Sequence, residues 1–527
     1  TFFGHSLMNS RDIPFAAGYT MAVYAMLLFI ESYPKLTWKR TLFLAISLGL
    51  SMSVRIGGLI LIPVLGVLIG AVLILNGKAI REKVMKNTRQ NFLHFSVIIG
   101  LPYLFAMISH PVIWSAPIDN FMLCVNTAKK FPNRIPINFN GDFTSSLEIP
   151  QSYLITWMKL TFPIAVVGLL LLGLLFLVTK INKNRDRLAF MLLVMAVFVP
   201  IVTAIVQHFA LYNGWRHLLF IYPSLAVLAT YWIAGFVKGV KSGLVYLFLF
   251  VLMFQHPIRW MMRNHPFEYL YFNEVSGGFA ENYYLYETDG WQLSVKEASD
   301  WLMEQKEFKD GSGFTLACNS SSPMYELFQN YYKDTSKKVT FAGYQSRNTV
   351  DWRYMIYNVN LLPSSYLREI YPPAKTIKTI DVEGKPICAI LYDPIRNDYK
   401  GARAVLVNDF AKADSLLKLA LKDDSYSERL LEAACISLAR QDRLLEAESM
   451  YRKGLLLYPN NSYFHYFMGM HYALKKQEKE AITEVYNALE RGYPESPVVY
   501  ENLSKLYHDI GNMAKSEEMM KFADELR

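Results

Sequence analysis

The apolar positions of this chain are concentrated in its first half. Up to residue 256, eight segments are apolar and long enough to span, or nearly span, a lipid bilayer. They lie at about 13–31, 41–54, 57–75, 92–109, 161–179, 188–206, 217–237 and 242–256. The second is short, so the second and third are either two full spans or two tilted, partly re-entrant helices. The pattern predicts a polytopic α-helical membrane domain over residues 1–256.

The pattern changes between residues 257 and 397, where short apolar runs alternate with polar stretches that suit helices. The strand-like runs are Phe314–Cys318, Lys338–Phe341, Met355–Val359 and Ile387–Leu391. We therefore predict a small external α/β domain at 257–397. Cys318 and Cys388 both fall in such runs. We favour the interpretation that they are two buried free thiols, and a disulfide between them is the alternative. None of the four cysteines has metal-ligand spacing.

A period appears in the remaining part of the chain, residues 398–527, which reads as helical throughout. Ala413, Ala447 and Ala481 lie 34 residues apart, and Ser516 follows after 35. A second series of period 34 is Ala439, Ala473 and Tyr507, and two consecutive units close at Pro459 and Pro494. This period predicts about three tetratricopeptide-type repeats stacked into an all-α solenoid. Such solenoids usually hold a peptide or partner protein in their groove; a purely structural cap is the alternative.

The net charge of +9 might suggest a nucleic-acid partner, but the distribution of the basic residues argues against one. The loops after the first, third, fifth and seventh segments hold fourteen Lys and Arg residues, whereas the alternate connections, which are longer, hold seven. The positive-inside rule places the first set in the cytoplasm. Asp12, Arg55, the loop 110–160, the stretch 207–217 and the soluble half would then share the external face.

Three charged positions on that face suggest chemistry. Asp12 begins an apolar helix with Pro14 in its first turn, and Arg216-His217 heads another apolar segment. Arg55 could supply a second cation. Cations that grip a phosphate and an acid that activates an acceptor suit a lipid-linked phosphate substrate.

Structural roles are the alternative for each of these residues taken alone. Interfacial Arg, Tyr and Trp anchor helix ends, and a carboxylate such as Asp12 is favoured at a helix N-terminus. For His208 taken alone, a structural role is the favoured interpretation over a catalytic one. Glu287 and Asp289 form an acidic pair beside Trp291, for which a solvated turn is the favoured interpretation.

Three phrases in this order resemble the membrane core of GT-C glycosyltransferases, in particular the protein O-mannosyltransferase-like (family 39) bacterial branch. They are Phe3-Gly4-His5…Asp12-Ile13-Pro14-Phe15, His110-Pro111…Trp114…Pro117 and Tyr212-Asn213-Gly214-Trp215-Arg216-His217. The segment His265-Pro266-Phe267-Glu268-Tyr269 to Ser294 also resembles the stretch after the last helix in some of those proteins. The resemblance covers roughly residues 1–300.

The resemblance implies a transferase of the bacterial inner membrane, with its soluble domains in the periplasm. It would move a sugar from a polyprenyl-phosphate carrier to a hydroxyl of a protein, lipid or glycan. Asp12 would be a supporting acid, and the carrier phosphate would contact Arg55, Arg216 and His217. The substrate pocket would include His5, Tyr212, Trp215 and His208. Some relatives bind a divalent metal, to which His5, Asp12 and His208 could contribute.

In such enzymes the principal catalytic acid lies in the first external loop, after the first helix. No such helix and loop precede Thr1, so either the chain lacks its N-terminal portion, which is the interpretation we favour, or it is not an active enzyme by itself. The first rival function is a non-enzymatic membrane anchor whose external repeats scaffold an envelope complex. The second is a transporter, which the scarcity of charges inside the apolar segments disfavours.

Overall fold

The computed structural model describes residues 2–75, 84–129, 134–180, 184–231, 239–305, 314–320, 326–333, 338–344 and 346–527, together with residues 82, 233 and 324. The chain divides into two compact units. The first comprises Thr1–Gly290 and Val382–Lys385, and the second Trp291–Asp381 and Pro386–Arg527.

Helices form most of the first unit. They are Phe2–Met8, Asp12–Ser32, Trp38–Val54, Leu61–Leu75, Thr88–Ser109, Pro117–Lys129, Tyr153–Thr161, Ile164–Lys180, Asn184–Val206, Tyr222–Thr230, Val240–Arg263 and Gly278–Asn282. Short 3-10 turns lie at Ile56–Ile60, Pro111–Ile113, Arg216–Ile221, Glu268–Leu270 and Glu274–Ser276. The loop predicted at 110–160 also contains an antiparallel hairpin, β1 Pro136–Phe139 and β2 Asp142–Ser145, which the sequence analysis missed.

Five helices within the described ranges are long and apolar enough to cross a membrane. They are Asp12–Ser32, Ile56–Leu75, Thr88–Ser109, Asp186–Val206 and Val240–Arg263. Where a fifth span was predicted, Tyr153–Thr161 and Ile164–Gly173 form a pair bent by 105°. The predicted second and seventh spans correspond to shorter helices, Trp38–Val54 and Arg216–Thr230; residues 232 and 234–238 of the latter prediction lie outside the described residues.

Polar side chains inside the first unit tie its helices together. The Tyr19 hydroxyl donates to Ala196 O over 2.9 Å, and Thr41 Oγ1 lies 2.8 Å from His94 Nδ1. Asn273 Nδ2 donates to the carbonyls of Lys159 and Phe162 over 2.6 and 2.9 Å. These last bonds tie residue 273 to the helices of the first unit, which extends to Gly290, beyond the boundary that we drew at residue 256.

The second unit contains a five-stranded sheet in the order β4-β3-β5-β7-β6. Its strands are β3 Thr315–Cys318, β4 Lys338–Phe341, β5 Tyr354–Asn358, β6 Thr376–Val382 and β7 Lys385–Tyr392. β3 is parallel to β4 and β5, whereas β5 and β7 are antiparallel. The helices Leu293–Glu304 and Ser364–Glu369 and the π-helical turn Leu327–Tyr331 accompany the sheet. A small sheet is thus present where the α/β domain was predicted, although residues 257–290 of that prediction belong to the first unit. Cys318 and Cys388 are free thiols in the sheet.

Four consecutive helix pairs complete the second unit. They are Asn397–Leu406 with Phe410–Asp423, Glu428–Ala439 with Glu448–Leu457 after the 3-10 turn Leu444–Ala447, Ser462–Leu474 with Glu478–Glu490, and Pro497–Asp509 with Met513–Glu525. The first helices of the last three pairs begin 34 and 35 residues apart. Ser427 and Asn461, also 34 residues apart, accept hydrogen bonds from Leu430 N and Phe464 N and so cap two of these helices. The predicted tetratricopeptide-type repeats are present, with one pair more than the three expected.

Small residues allow the repeat helices to approach closely. Ala413, Ala447 and Ala481 are each fully buried, as their 34-residue period predicted. A Cβ added at Gly469 would lie 2.9 Å from Val485 Cγ2 and 3.2 Å from the carbonyl oxygen of Ala481. The backbone of the partner helix cannot move away without disturbing the pair.

A buried polar network connects the sheet to the first repeats. Arg347 Nε donates to Asp424 Oδ2 over 2.7 Å, and Arg347 Nη2 donates to Asp424 Oδ1 over 3.1 Å. Ser427 Oγ donates to Asn348 Oδ1 over 2.6 Å. The Tyr344 and Tyr458 hydroxyls lie 2.8 Å apart. Because both ends of each contact are in the second unit, sheet and repeats share one packed structure.

We expect Gly469→Leu to destabilise the third helix pair by about 1–3 kcal/mol, because the added side chain overpacks the contact with Val485. Amide hydrogen exchange across Ser462–Glu490 in the intact protein would measure the loss. Leu474→Gln, on the exposed side of the same helix, is the control and should change stability by less than about 0.5 kcal/mol. Equal exchange in the two variants would contradict the packing argument.

Candidate functional site

Asp12 and Arg55 form an ion pair at the ends of two apolar segments. Asp12 is the first residue of the helix Asp12–Ser32 and is 3% exposed. Arg55 has extended backbone between the helix Trp38–Val54 and the turn that begins at Ile56, so it breaks the helical run. Asn9 supports the acid, donating from Nδ2 to Asp12 Oδ2 over 2.6 Å and accepting from Asp12 N–H over 2.8 Å. Asp12 is therefore held by three contacts.

The loop 212–217 carries the second cation of the predicted site. The guanidinium of Arg216 lies over the ring of Tyr212, 4.5 Å from its centre, and the Tyr212 and His217 rings meet edge to face at 4.8 Å. Asn213 and Gly214 have positive φ angles of 53° and 69°. These two left-handed residues lie just before Arg216, and glycine is the residue that adopts such a conformation at least cost.

The structure brings the two cations and the neighbouring histidine together. Arg216 lies close enough to act electrostatically on Arg55, and both arginines act on His217. His5, from the helix Phe2–Met8, is buried beside them. Burial lowers the pKa of His5 to about 3, so this imidazole is neutral at physiological pH. The site thus combines two guanidinium groups with one ion-paired carboxylate and a neutral histidine.

Two buried side-chain nitrogen atoms in this cluster make no hydrogen bond to the described residues. They are Arg55 Nε and His217 Nδ1. Buried polar atoms are nearly always paired, and an orphan therefore suggests a ligand or a functional role. A phosphate is the kind of anion that guanidinium groups such as those of Arg55 and Arg216 bind.

The remaining predicted residues are placed differently. Trp215 is buried, and its Nε1 donates to Thr161 Oγ1 over 2.8 Å, so its indole anchors the loop. His208 is exposed, and its Nε2 lies 3.4 Å from Gln151 Nε2. Within the described ranges, no three His, Cys, Asp or Glu side chains come together as a metal site. The grouping of His5, Asp12 and His208 as metal ligands is therefore not assembled, and we assign no residue to a metal.

For Glu287, the favoured sequence interpretation, a solvated turn residue, is wrong. Its Oε1 accepts hydrogen bonds from the Tyr153 hydroxyl and, over 2.8 Å, from the Gly214 N–H. Burial raises the pKa of the Glu287 carboxyl above its ordinary value, against the opposing effect of these two bonds and of nearby Arg216. This residue is a partner of the loop 212–217, not a solvated turn residue. The only sequence signal was its place in an acidic, glycine-ended turn.

Comparisons with known proteins concern the fold alone. No protein-family model matches the chain, and no curated protein is similar to it in sequence. Among solved structures, MamA of MSR-1 is 18% identical over 26% of this chain and 77% of that chain, with a TM-score of 0.23. TTC0263, a thermophilic TPR protein from Thermus thermophilus, is 18% identical over 25% and 74%, with a TM-score of 0.22. IFIT1 is 13% identical over 72% and 78%, with a TM-score of 0.22. Scores this low carry no argument about function, and the repeats rest on the helix pairing described above.

Glu287→Gln should alter the pH dependence of stability. Since the pKa of Glu287 is raised by folding, the folded state binds this proton more tightly than the unfolded state, and stability falls as pH rises through the raised pKa. The variant lacks this penalty, so we expect its thermal stability to exceed that of the wild type increasingly with rising pH. The gain is limited to about 1.4 kcal/mol for each tenfold difference in proton affinity between the two states.

Thermal unfolding of the purified protein between pH 4 and 8 measures this difference. Glu281→Gln, an exposed acid in the same segment, serves as the control and should track the wild type. A stability difference for Glu287→Gln that does not vary with pH would contradict the argument.

Proposed function

We propose that this protein is a membrane glycosyltransferase. It takes a sugar from a polyprenyl-phosphate donor and delivers it to a hydroxyl of a protein, lipid or glycan at the external face, in the bacterial inner membrane. The observation that carries the proposal is the cluster of Arg55, Arg216 and His217, in which buried nitrogen atoms of Arg55 and His217 have no hydrogen-bond partner among the described residues. The resemblance of residues 1–300 to GT-C enzymes supports it.

The chemistry requires a cationic site of this kind. The acceptor oxygen attacks C1 of the sugar, the C1–O bond to the phosphate breaks, and its electron pair leaves on the phosphate oxygen. Arg55 and Arg216 would stabilise that developing charge, with His217 as a neutral donor. Asp12 forms an ion pair with Arg55 and a hydrogen bond with Asn9, so we assign it the role of holding Arg55 in place. The proton of the acceptor hydroxyl would pass to another carboxylate of the enzyme.

The repeats would recruit the acceptor or a partner protein. Four stacked helix pairs provide an extended surface of the type that binds peptides. The same repeats also favour a second candidate, a membrane-anchored scaffold of an envelope complex that performs no transfer. The two candidates differ in whether the chain binds and consumes a lipid-phosphate sugar.

Sugar transfer from a polyprenyl-phosphate sugar by full-length protein tests the proposal. Arg216→Ala should lower kcat by about 10²–10³-fold, the loss typical of removing one charge-stabilising donor. Asp12→Asn should lower turnover by about tenfold or more, because Arg55 loses its counter-ion.

The matched control is Arg134→Ala. Arg134 lies in the same predicted external loop region, and its side chain is 74% exposed, so turnover should not change. Unchanged turnover in both site variants would refute the site. A wild-type protein that neither binds polyprenyl phosphate nor transfers sugar would refute the enzyme and favour the scaffold.

A further inference from the structure

The turn that follows the last apolar helices of the first unit contains two carboxylates that each receive a tyrosine hydroxyl. We call residues 287–290 the acidic turn. The Tyr153 hydroxyl donates to Glu287, and the Tyr269 hydroxyl donates to Asp289 Oδ1. Asp289 is fully buried and has a positive φ of 47°, a conformation that the surrounding contacts must hold in place.

Glu287 connects the acidic turn to the loop that carries Arg216. Its Oε1 accepts from the Gly214 N–H over 2.8 Å, and the same N–H lies 3.1 Å from the Tyr153 hydroxyl oxygen. Asn213 Nδ2 donates to the carbonyl of Gly290 over 3.4 Å. Asn213 and Gly214 are the two left-handed residues of the loop. These contacts therefore hold the backbone conformation directly before Arg216.

Asp289 connects the same turn to Tyr269, which packs on the helix Phe2–Met8. Tyr269, which it holds, packs so closely on the first helix that a Cβ added at Gly4 would lie 2.5 Å from Tyr269 N. The ring of His5, the next residue of that helix, lies 6.3 Å from the Tyr269 ring. The acidic turn therefore contacts both the loop 212–217 and Tyr269, which packs beside His5.

We propose that Glu287 and Asp289 are positioning residues that hold the loop 212–217 and the Tyr269 segment in the arrangement that binds the donor phosphate. This proposal rests on the proposed function for its ligand, but the anchoring itself does not depend on it. A carboxyl group suits this role because its oxygens accept several hydrogen bonds at once.

Amide hydrogen exchange of the loop 212–217 in full-length protein tests the anchoring. In Glu287→Ala the Gly214 N–H loses its acceptor, and its exchange should accelerate by about ten- to a hundredfold. Glu287→Gln retains a carbonyl oxygen, so its loop exchange rate should stay within about threefold of the wild type. If the loop needed a charge at this position, Gln would not restore slow exchange. Glu281→Ala, in the same segment and exposed, is the control.

Binding of polyprenyl phosphate then tests the link to the site. We expect Glu287→Ala to weaken binding at least tenfold, Glu287→Gln to restore most of it, and Asp289→Ala to weaken it as well. Accelerated exchange in Glu287→Ala with undiminished phosphate binding would overturn the positioning role and leave the proposed function intact. If the wild type does not bind the probe, the proposed function fails, and unchanged exchange in Glu287→Ala would separately overturn the anchoring.

Tyr153→Phe keeps the comparison available if Glu287→Ala does not fold. It removes one hydroxyl while the bond between Gly214 and Glu287 remains, so the exchange of the loop should accelerate by a smaller factor, about three- to tenfold. Exchange indistinguishable from the wild type in Tyr153→Phe would overturn the proposal.

Discussion

The ion pair between Asp12 and Arg55 is the constraint on which the first unit depends. Removing a carboxylate and a guanidinium from water costs several kcal/mol each, and only close pairing with further hydrogen bonds offsets that cost. Asn9 meets this condition for the acid, whereas Arg55 Nε has no hydrogen-bond partner among the described residues. The pair also joins the start of one apolar helix to the break after another, so the charge that a phosphate would meet is fixed by the same contact that orders the helices.

Much of the fold could be predicted because periodicity reflects burial. The 34-residue period of small residues marked the repeats, and four strands of the sheet stood out as short apolar runs. β6 did not, because only Ile380 and Val382 of Thr376–Val382 are buried apolar side chains. The bent pair around Phe162 was also missed, because the predicted span began at residue 161 and the helix Tyr153–Thr161 before it was taken as part of the loop 110–160.

The candidate site was predictable only in part, for a reason of sequence distance. Asp12, Arg55 and Arg216 each stand at the end of an apolar segment, where a charge is conspicuous. Glu287 gave no such signal, because the residues that define its environment, Tyr153 and Gly214, are 134 and 73 positions away in the chain. The tertiary structure brings these partners to Glu287. Without it, the sequence cannot distinguish a solvated acid from one that anchors a loop.

The pair Arg347–Asp424 bears on how the soluble half of this chain can be divided for study. A fragment that begins at residue 398, where the sequence pattern turns helical, would keep Asp424 and lose Arg347. The severed fragment would expose one half of a buried bidentate pair, together with Ser427 and Tyr458, whose partners also precede the cut. The visible change in sequence pattern thus falls inside one compact unit, which the sheet and the repeats share.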